Sequence, residues 1–372
     1  MPGTPRPKVL LLIPHLGGGG AEHVVETLAR FLDREKHEIL FGIVTGSHFD
    51  LANSMAIANI YQLNASRIRY SSLKLLRLIW SFRPAVILSG MAHLNLLVLL
   101  LRPVLPKRTG ILVRHNGALS ATLSDGIHPC IARLIYGFAY RRADIVICQS
   151  ESMKDEIRSE FGVNEARLAV LRNPVDSDLI RSFLTSDSQL GIPRLRLVAL
   201  GRLVREKGFD LLLDAFAGVS SRYSEAELLI AGSGRLEAFL KEQSRRLGIG
   251  DRVRFCGYVP NPAMLFRDAS LFVLSSRTEG IPNALLEAGA AGLPIVATPA
   301  SGGLVDLVAK QKGVWLASEI SIPALRTAIE SALEAIEPGQ RYKHHWVEPF
   351  DIRHAVPAYE AVIERSIEGV AV

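Results

Sequence analysis

Residues 198–216 read "VALGRLVREKGFDLLLDAF". Val198–Leu200 is apolar and strand-like, Gly201 ends it, and "FDLLLDAF" resumes with the spacing of an amphipathic helix. The intervening loop carries Arg202 and Lys207, with Gly208 just before the helix. A strand that gives way to a helix through a short glycine-bearing loop is one βα unit, and two cations around that loop can converge on a single anion.

The same unit recurs along the chain. In the first half "KVLLLI", "HEILFGIVTG", "AVILSG", "GILVRHN" and "DIVICQS" are each followed by a helical pattern. In the second half the strands are "LRLVALG", "ELLIAGSG", "RVRFCGYV", "SLFVLSS", "PIVATPA" and "GVWLA". Continuous apolar strands alternating with helices predict parallel sheets covered on both faces. Two such sets in 372 residues predict an α/β protein of two Rossmann-like, doubly wound domains. Asn173-Pro174 and the Ser/Asp-rich stretch to Pro193 mark the join. The expected domains are 1–185 and 186–350.

Composition narrows the class. With 48% hydrophobic and 22% charged residues the chain is globular rather than disordered. Cys130, Cys148 and Cys256 form no CxxC, which excludes a disulfide framework and a cysteine zinc site and suits a reducing cytoplasm. Val9–Ile13 is too short for a signal-peptide core and reads as a first buried strand. Residues 1–181 hold 22 Lys and Arg against 15 Asp and Glu, while the remainder holds 21 against 22. A basic first half suits an anionic partner or surface, and suits a solvated basic face equally. Nucleic acid is disfavoured, because no basic run is interleaved with aromatics.

The longest apolar stretch, "HLNLLVLLLRPVLPKRTG" (residues 93–110), is broken by Arg102, Pro103 and Pro106 and is too short to span a membrane. Core packing explains its leucines as well as a membrane-facing patch does. Arg102, Lys107 and Arg108 would serve anionic lipids in the second case, with Lys74, Arg77 and Trp80 of "SSLKLLRLIWSF" as another candidate.

Ligands of open parallel sheets bind beyond the carboxyl ends of strands. Four such ends carry chemistry. Gly17–Gly20 let backbone approach a ligand before a helix begins near Ala21, although His23 stands where a GxGxxG pattern needs glycine and no Walker Lys-Ser/Thr follows. Arg202 and Lys207 would stabilise a diphosphate and the extra charge it gains on leaving. Gly232-Ser233-Gly234 repeats a strand–glycine–helix turn. In "SSRTEGIPNALLEAG" Glu279 lies in a loop and Glu287 in the helix that follows, so the two carboxylates belong to different elements. Glu287 suits ribose hydroxyls, Glu279 suits a sugar, and the backbone N–H groups around Asn283, Ala284 and Leu285 suit phosphate or sugar oxygens.

Together "GRLVREKGFDLLLDAF", "AGSGRL", "FCGYV" and "EGIPNALLEA", preceded by "GGGGAE", "RHN" and "NPVD", resemble the family 4 retaining glycosyltransferases. That resemblance implies the GT-B fold, two Rossmann-like domains facing a central cleft, with a last helix (about 352–370) returning to the first domain. It implies that Arg202 and Lys207 hold the diphosphate of a nucleotide sugar, Glu287 its ribose and Glu279 its sugar. His115 would face the sugar. Gly19 and Gly20 would lie by the phosphates or acceptor, Glu22 and Asn116 by the acceptor cleft, and Gly201, Gly232 and Gly234 by the donor. Gly257 and Tyr258 would approach the base. "GGLVD" departs from the family's usual G-G-x-P-E at Val305 and Asp306. No metal or other cofactor is implied, and Asp176-Ser177-Asp178 falls in the interdomain connection rather than at a strand end.

The expected activity is transfer of a hexose or N-acetylhexosamine from a nucleotide diphosphate, UDP favoured, with retention. The acceptor would be lipid-linked or a glycan in surface polysaccharide assembly, reached at the inner face of the cell membrane. A nucleotide-sugar 2-epimerase and a silent binding subunit are the alternatives.

Overall fold

The computed structural model describes residues 6–16, 19–45, 59–117, 129–184, 195–337 and 339–371. The chain divides into two compact units, 1–174 with 352–372, and 175–351.

The first unit is built on seven parallel strands: β1 (Lys8–Ile13), β2 (Glu38–Thr45), β3 (Ile60–Ala65), β4 (Val86–Ser89), β5 (Gly110–Arg114), β6 (Ile145–Cys148) and β7 (Leu168–Val170), in the order β3-β2-β1-β4-β5-β6-β7. Because side chains alternate across a strand, one apolar run feeds two cores. Leu10, Leu12, Ile87 and Val113 face α2 (Ser72–Phe82), α3 (Ala92–Leu101), α4 (Pro129–Tyr140) and α5 (Glu151–Phe161). Val9, Leu11, Leu88 and Leu112 face α1 (Gly20–Phe31) and the last helix, residues 352–371, through its Val356, Tyr359 and Ile363. Five strands were expected here. The two extra ones, β3 and β7, are sheet edges; β3 carries polar residues and β7 has three residues, so neither makes an apolar run.

The second unit has six parallel strands, all six of those expected: β8 (Arg196–Leu200), β9 (Glu227–Ala231), β10 (Val253–Gly257), β11 (Leu271–Leu274), β12 (Ile295–Ala297) and β13 (Val314–Leu316), ordered β10-β9-β8-β11-β12-β13. Each sheet reverses its strand order once, at β1/β4 and at β8/β11, the position where open α/β sheets leave a crevice. The fold class is thus two doubly wound Rossmann-like units.

The division falls at 174/175 rather than at 185/186. Val175 and Ile180 are buried in the second unit's core with Phe266 and Phe350, so α6 (Ser177–Leu184) belongs there. Asp176, half of the D-x-D, accepts the Leu179 N–H through Oδ1 at 2.9 Å and so starts that helix. Residues 185–194, most of the expected linker, lie outside the described residues, as do Gly17 and Gly18.

Candidate active site

In the second unit, both loops leaving the β8/β11 switch point carry charge. After Gly201 the chain forms a tight 3-10 turn, Arg205–Lys207, and enters α7 (Phe209–Arg222) through Gly208 at φ +63°. A Cβ on Gly208 would stand 2.0 Å from the carbonyl oxygen of Ser275, so only glycine lets this loop lie against the end of β11. The contact is then stitched. The Ser275 hydroxyl donates to Lys207 O (2.9 Å) and Arg277 N–H to Glu206 O (2.7 Å). The Arg277 guanidinium grips both oxygens of Asp210 at 2.6 Å and donates to Arg205 O at 3.0 Å. Its charge and hydrogen bonds hold Asp210 below the usual carboxylate range against the opposing effect of burial.

The spacing of five residues between Arg202 and Lys207 has a mechanical meaning. The turn folds Lys207 back so that its stem packs on Gly201, 3.3 Å from the place a Cβ would occupy. Its ammonium pairs with Glu279, whose same oxygen accepts the Ser276 hydroxyl at 2.6 Å. Arg202 is exposed beside this pair in sequence and has no side-chain partner among the described residues. The structure therefore joins Gly201, Lys207 and Glu279, with Ser276 as an added member, and leaves the Arg202 guanidinium exposed.

Two glycines at a neighbouring strand end, Gly232 and Gly234, have a packing role of their own. A Cβ on Gly232 (φ +134°) would meet Gly201 O at 1.9 Å, and one on Gly234 would meet Leu203 O at 2.5 Å. Backbone bonds run from Leu203 N to Ser233 O (2.9 Å) and from Gly232 N to Gly257 O (2.7 Å). Gly232 and Gly234 thus let one loop lie on another, a role beyond the tight turn and the place by the donor expected from the sequence. Gly257 is at φ +67° with open space where its Cβ would be, and Tyr258 beside it is exposed.

The helix Asn283–Ala290 begins after Pro282. Leu285 is fully buried and its N–H already bonds Pro282 O at 3.1 Å, which takes it off the set of free donors expected there. Asn283 and Ala284 are half-buried. Glu287 lies one turn on, and burial pushes its carboxyl up to about 7. A cavity of about 550 Å³ lined by Arg196, Glu227, Asp251 and Asp268 lies instead at the amino ends of β8 and β9, away from these residues.

In the first unit, Gly19 caps α1 in extended backbone, and its oxygen receives the His23 N–H at 3.2 Å. Gly20 starts the helix, and Glu22 in its first turn is 4% exposed, with His15 Nε2 at 3.6 Å. Asn116 is spent on the scaffold: its amide donates to Gly90 O and accepts from Gln149 Nε2 at 3.2 Å, tying the ends of β4, β5 and β6. His115 is 1% exposed, and burial with the Arg114 cation lowers it to about 4.

Asp210, Ser276 and Arg277 escaped the sequence reading, as did a buried cluster of Asn95, Arg114 and Tyr140. One signal was available: Asn95 is the lone polar residue between Leu94 and Leu101. Among the described residues no group of three or more His, Cys, Asp and Glu is arranged to hold a metal.

Residues 18–179 match the family model described as Glycosyltransferase Family 4, and residues 186–345 the one described as Glycosyl transferases group 1. An uncharacterized glycosyltransferase of Methanocaldococcus jannaschii is 26% identical over 253 residues, 65% of this chain and 62% of that protein. The chain thus spans less than two thirds of that relative's length. The amylovoran biosynthesis glycosyltransferase AmsD of Erwinia amylovora is 23% identical over 305 residues, 81% of this chain and 83% of AmsD. The crystal structure of Anabaena HepE in complex with UDP and glucose superposes with a TM-score of 0.80 at 19% identity, over 96% of this chain and 100% of that one. Two family models that together run through both units, and a shared fold in the solved structure, make one assignment: the chain belongs to the family 4 glycosyltransferases, with the GT-B fold.

Proposed function

We propose that the protein transfers a hexose or N-acetylhexosamine, with retention and without a metal, from a UDP-sugar to a lipid-linked or glycan acceptor in surface polysaccharide synthesis. One observation carries the proposal: the strapped loop that sets Lys207 against Glu279 at a strand-order switch point, with Arg202 exposed on the same loop. Two cations there would neutralise the departing diphosphate, so the rate would come from positioning and charge stabilisation. In the free protein Lys207 is already neutralised by Glu279, so an arriving diphosphate must compete for that ammonium. UDP in HepE and the amylovoran role in AmsD's name support the donor and pathway class.

Thermal shifts with UDP-, GDP- and ADP-sugars test the donor, because a ligand that binds only the native state raises Tm. UDP-sugars should give the largest shift; equal shifts with all three would overturn the choice of base. Incubation with donor alone should give slow hydrolysis. Full conversion to an epimer would replace transfer with epimerisation.

Glu287 gives a pH test. Its carboxyl is mostly protonated at pH 6 and ionised at pH 8, and only the ionised form accepts from both ribose hydroxyls. Affinity for the nucleotide sugar, whose phosphodiesters do not titrate there, should therefore rise between pH 6 and 8. Glu287→Gln should flatten the rise. Calorimetric titration at the two pH values decides it.

We further propose peripheral attachment to an anionic membrane face through α4. No helix among the described residues is long and apolar enough to cross a membrane. Helix α3 buries Leu94, Val98 and Leu99, so core packing accounts for much of the apolar stretch. On α4, by contrast, Ile131, Leu134, Ile135 and Phe138 form an exposed stripe, Leu134 being 71% exposed. Arg133 on the helix pairs with Glu160, which leaves Arg142, stacked on the Phe138 ring at 4.0 Å, as the cation beside the stripe. Apolar side chains with a basic neighbour match an anionic lipid interface. Leu134→Glu should cut co-sedimentation with phosphatidylglycerol vesicles about tenfold or more, from the lost leucine burial alone. Unchanged binding would remove α4 from the contact.

A further inference from the structure

His115 follows β5 and its backbone N–H bonds Ile147 O at 2.9 Å. Its Nδ1 lies 3.1 Å from the Tyr140 hydroxyl, and its Nε2 is buried with no hydrogen-bond partner among the described residues. The Tyr140 hydroxyl lies 3.4 Å from Asn95 Nδ2, which also donates to Arg114 O at 2.9 Å. All of these side chains are buried.

Counting donors and acceptors settles where the protons go. Arg114 O can only accept, so Asn95 must turn its amide nitrogen toward it. The second N–H of that nitrogen faces the Tyr140 oxygen, which accepts it. The single phenolic proton then has one acceptor among the described residues, His115 Nδ1. Were Nδ1 protonated instead, the buried phenolic proton would be left without an acceptor, which proteins avoid.

We infer that Asn95 and Tyr140 are positioning residues that fix His115 as its Nε2–H tautomer, so that the ring presents an uncharged N–H donor. The charge state follows from the surroundings. Burial and the adjacent Arg114 cation lower His115 to about 4, so it is neutral at pH 7. The Arg114 guanidinium is fully buried, donates to Tyr359 Oη at 3.2 Å and to Asn173 Oδ1, and has no carboxylate partner among the described residues. Resting on the proposed function, the acceptor for Nε2–H is a hydroxyl oxygen of the transferred sugar. A neutral donor orients that hydroxyl without placing a charge beside it.

The test reads the tautomer directly. In 15N-labelled protein at pH 7, the imidazole resonances of His115 are assigned by their loss in His115→Gln. Nε2 should be pyrrole-like and Nδ1 pyridine-like. In Asn95→Asp the oxygen that takes the place of Nδ2 carries the carboxyl proton, gives it to Arg114 O and accepts the phenolic proton, so the pattern should invert. In Tyr140→Phe the two forms should average. Both relay variants should lower kcat/KM for donor about tenfold, the worth of one hydrogen bond. A wild-type His115 protonated on Nδ1, or a pattern that neither variant moves, overturns the relay. Should the pattern invert as expected while His115→Gln transfers sugar normally, the relay stands and the sugar contact falls.

Discussion

Lys207→Ala should lower the rate of sugar transfer about a hundredfold or more at saturating donor. The ammonium is the charge nearest Glu279 in the switch-point loop, and a departing diphosphate gains negative charge as the glycosidic bond breaks. An interaction that strengthens on the way to the transition state is lost mainly from kcat, whereas one equal in both states is lost from KM. The substitution has a second consequence, because it strands Glu279 with only the Ser276 hydroxyl. Lys207→Ala combined with Glu279→Gln, read against Glu279→Gln alone because Glu279 is itself expected at the sugar, separates the two effects. If stranding were the whole cause, the double variant would regain the activity of Glu279→Gln; if the leaving group needs the cation, it stays slower. Initial rates with all three variants, checked for fold by circular dichroism, decide the matter. Wild-type turnover in Lys207→Ala would mean that the diphosphate lies elsewhere.

The largest stability loss should come from a single methyl group. Gly232→Ala places a Cβ 1.9 Å from Gly201 O and 2.8 Å from Gly201 C, both backbone atoms, at a φ of +134° that alanine rarely adopts. No rotamer change relieves a clash with backbone, so the loops must part and bonds such as Gly232 N to Gly257 O must stretch. Crowding and strain of this kind cost about 3 kcal/mol or more. In a unit of this size that is a fall in Tm of about 6–12 °C. Gly257→Ala is the matched control, since its φ is +67° but its Cβ would meet nothing within 4 Å. It should cost only the backbone strain, about 1–2 kcal/mol. Differential scanning calorimetry of the two variants reads the difference. Equal losses would show that close approach of the loops is not what Gly232 provides. Because Gly201 leads into the turn that carries Lys207, Gly232→Ala should also weaken donor binding at temperatures where the unit remains folded.

How much of this was legible beforehand depended on how far apart in sequence the cooperating residues lie. The GRLVREKG loop declared itself because strand, glycine, cations and helix are contiguous. β8, β9, β11 and β12 of the second sheet were visible because they are largely buried on both faces and read as apolar runs. β3, with Tyr61 and Asn64, has the mixed polarity of a sheet edge and was not visible. The α6 helix was assigned to the wrong side of the join because Ile180 chooses its core through contacts with residues about ninety positions later, such as Phe266 and Phe272.

By itself, then, the sequence determined the two doubly wound sheets, the family and the basic loop after β8, since local periodicity and contiguous motifs encode those. Only the tertiary structure decided that Arg277 straps that loop to Asp210, that Gly232 is needed for a backbone to lie on a backbone, and that Asn95 and Tyr140 govern the proton on His115. Those are contacts between segments tens of residues apart. A linear pattern carries no distance between such segments, and hydrogen-bond and steric constraints act only over a few ångströms.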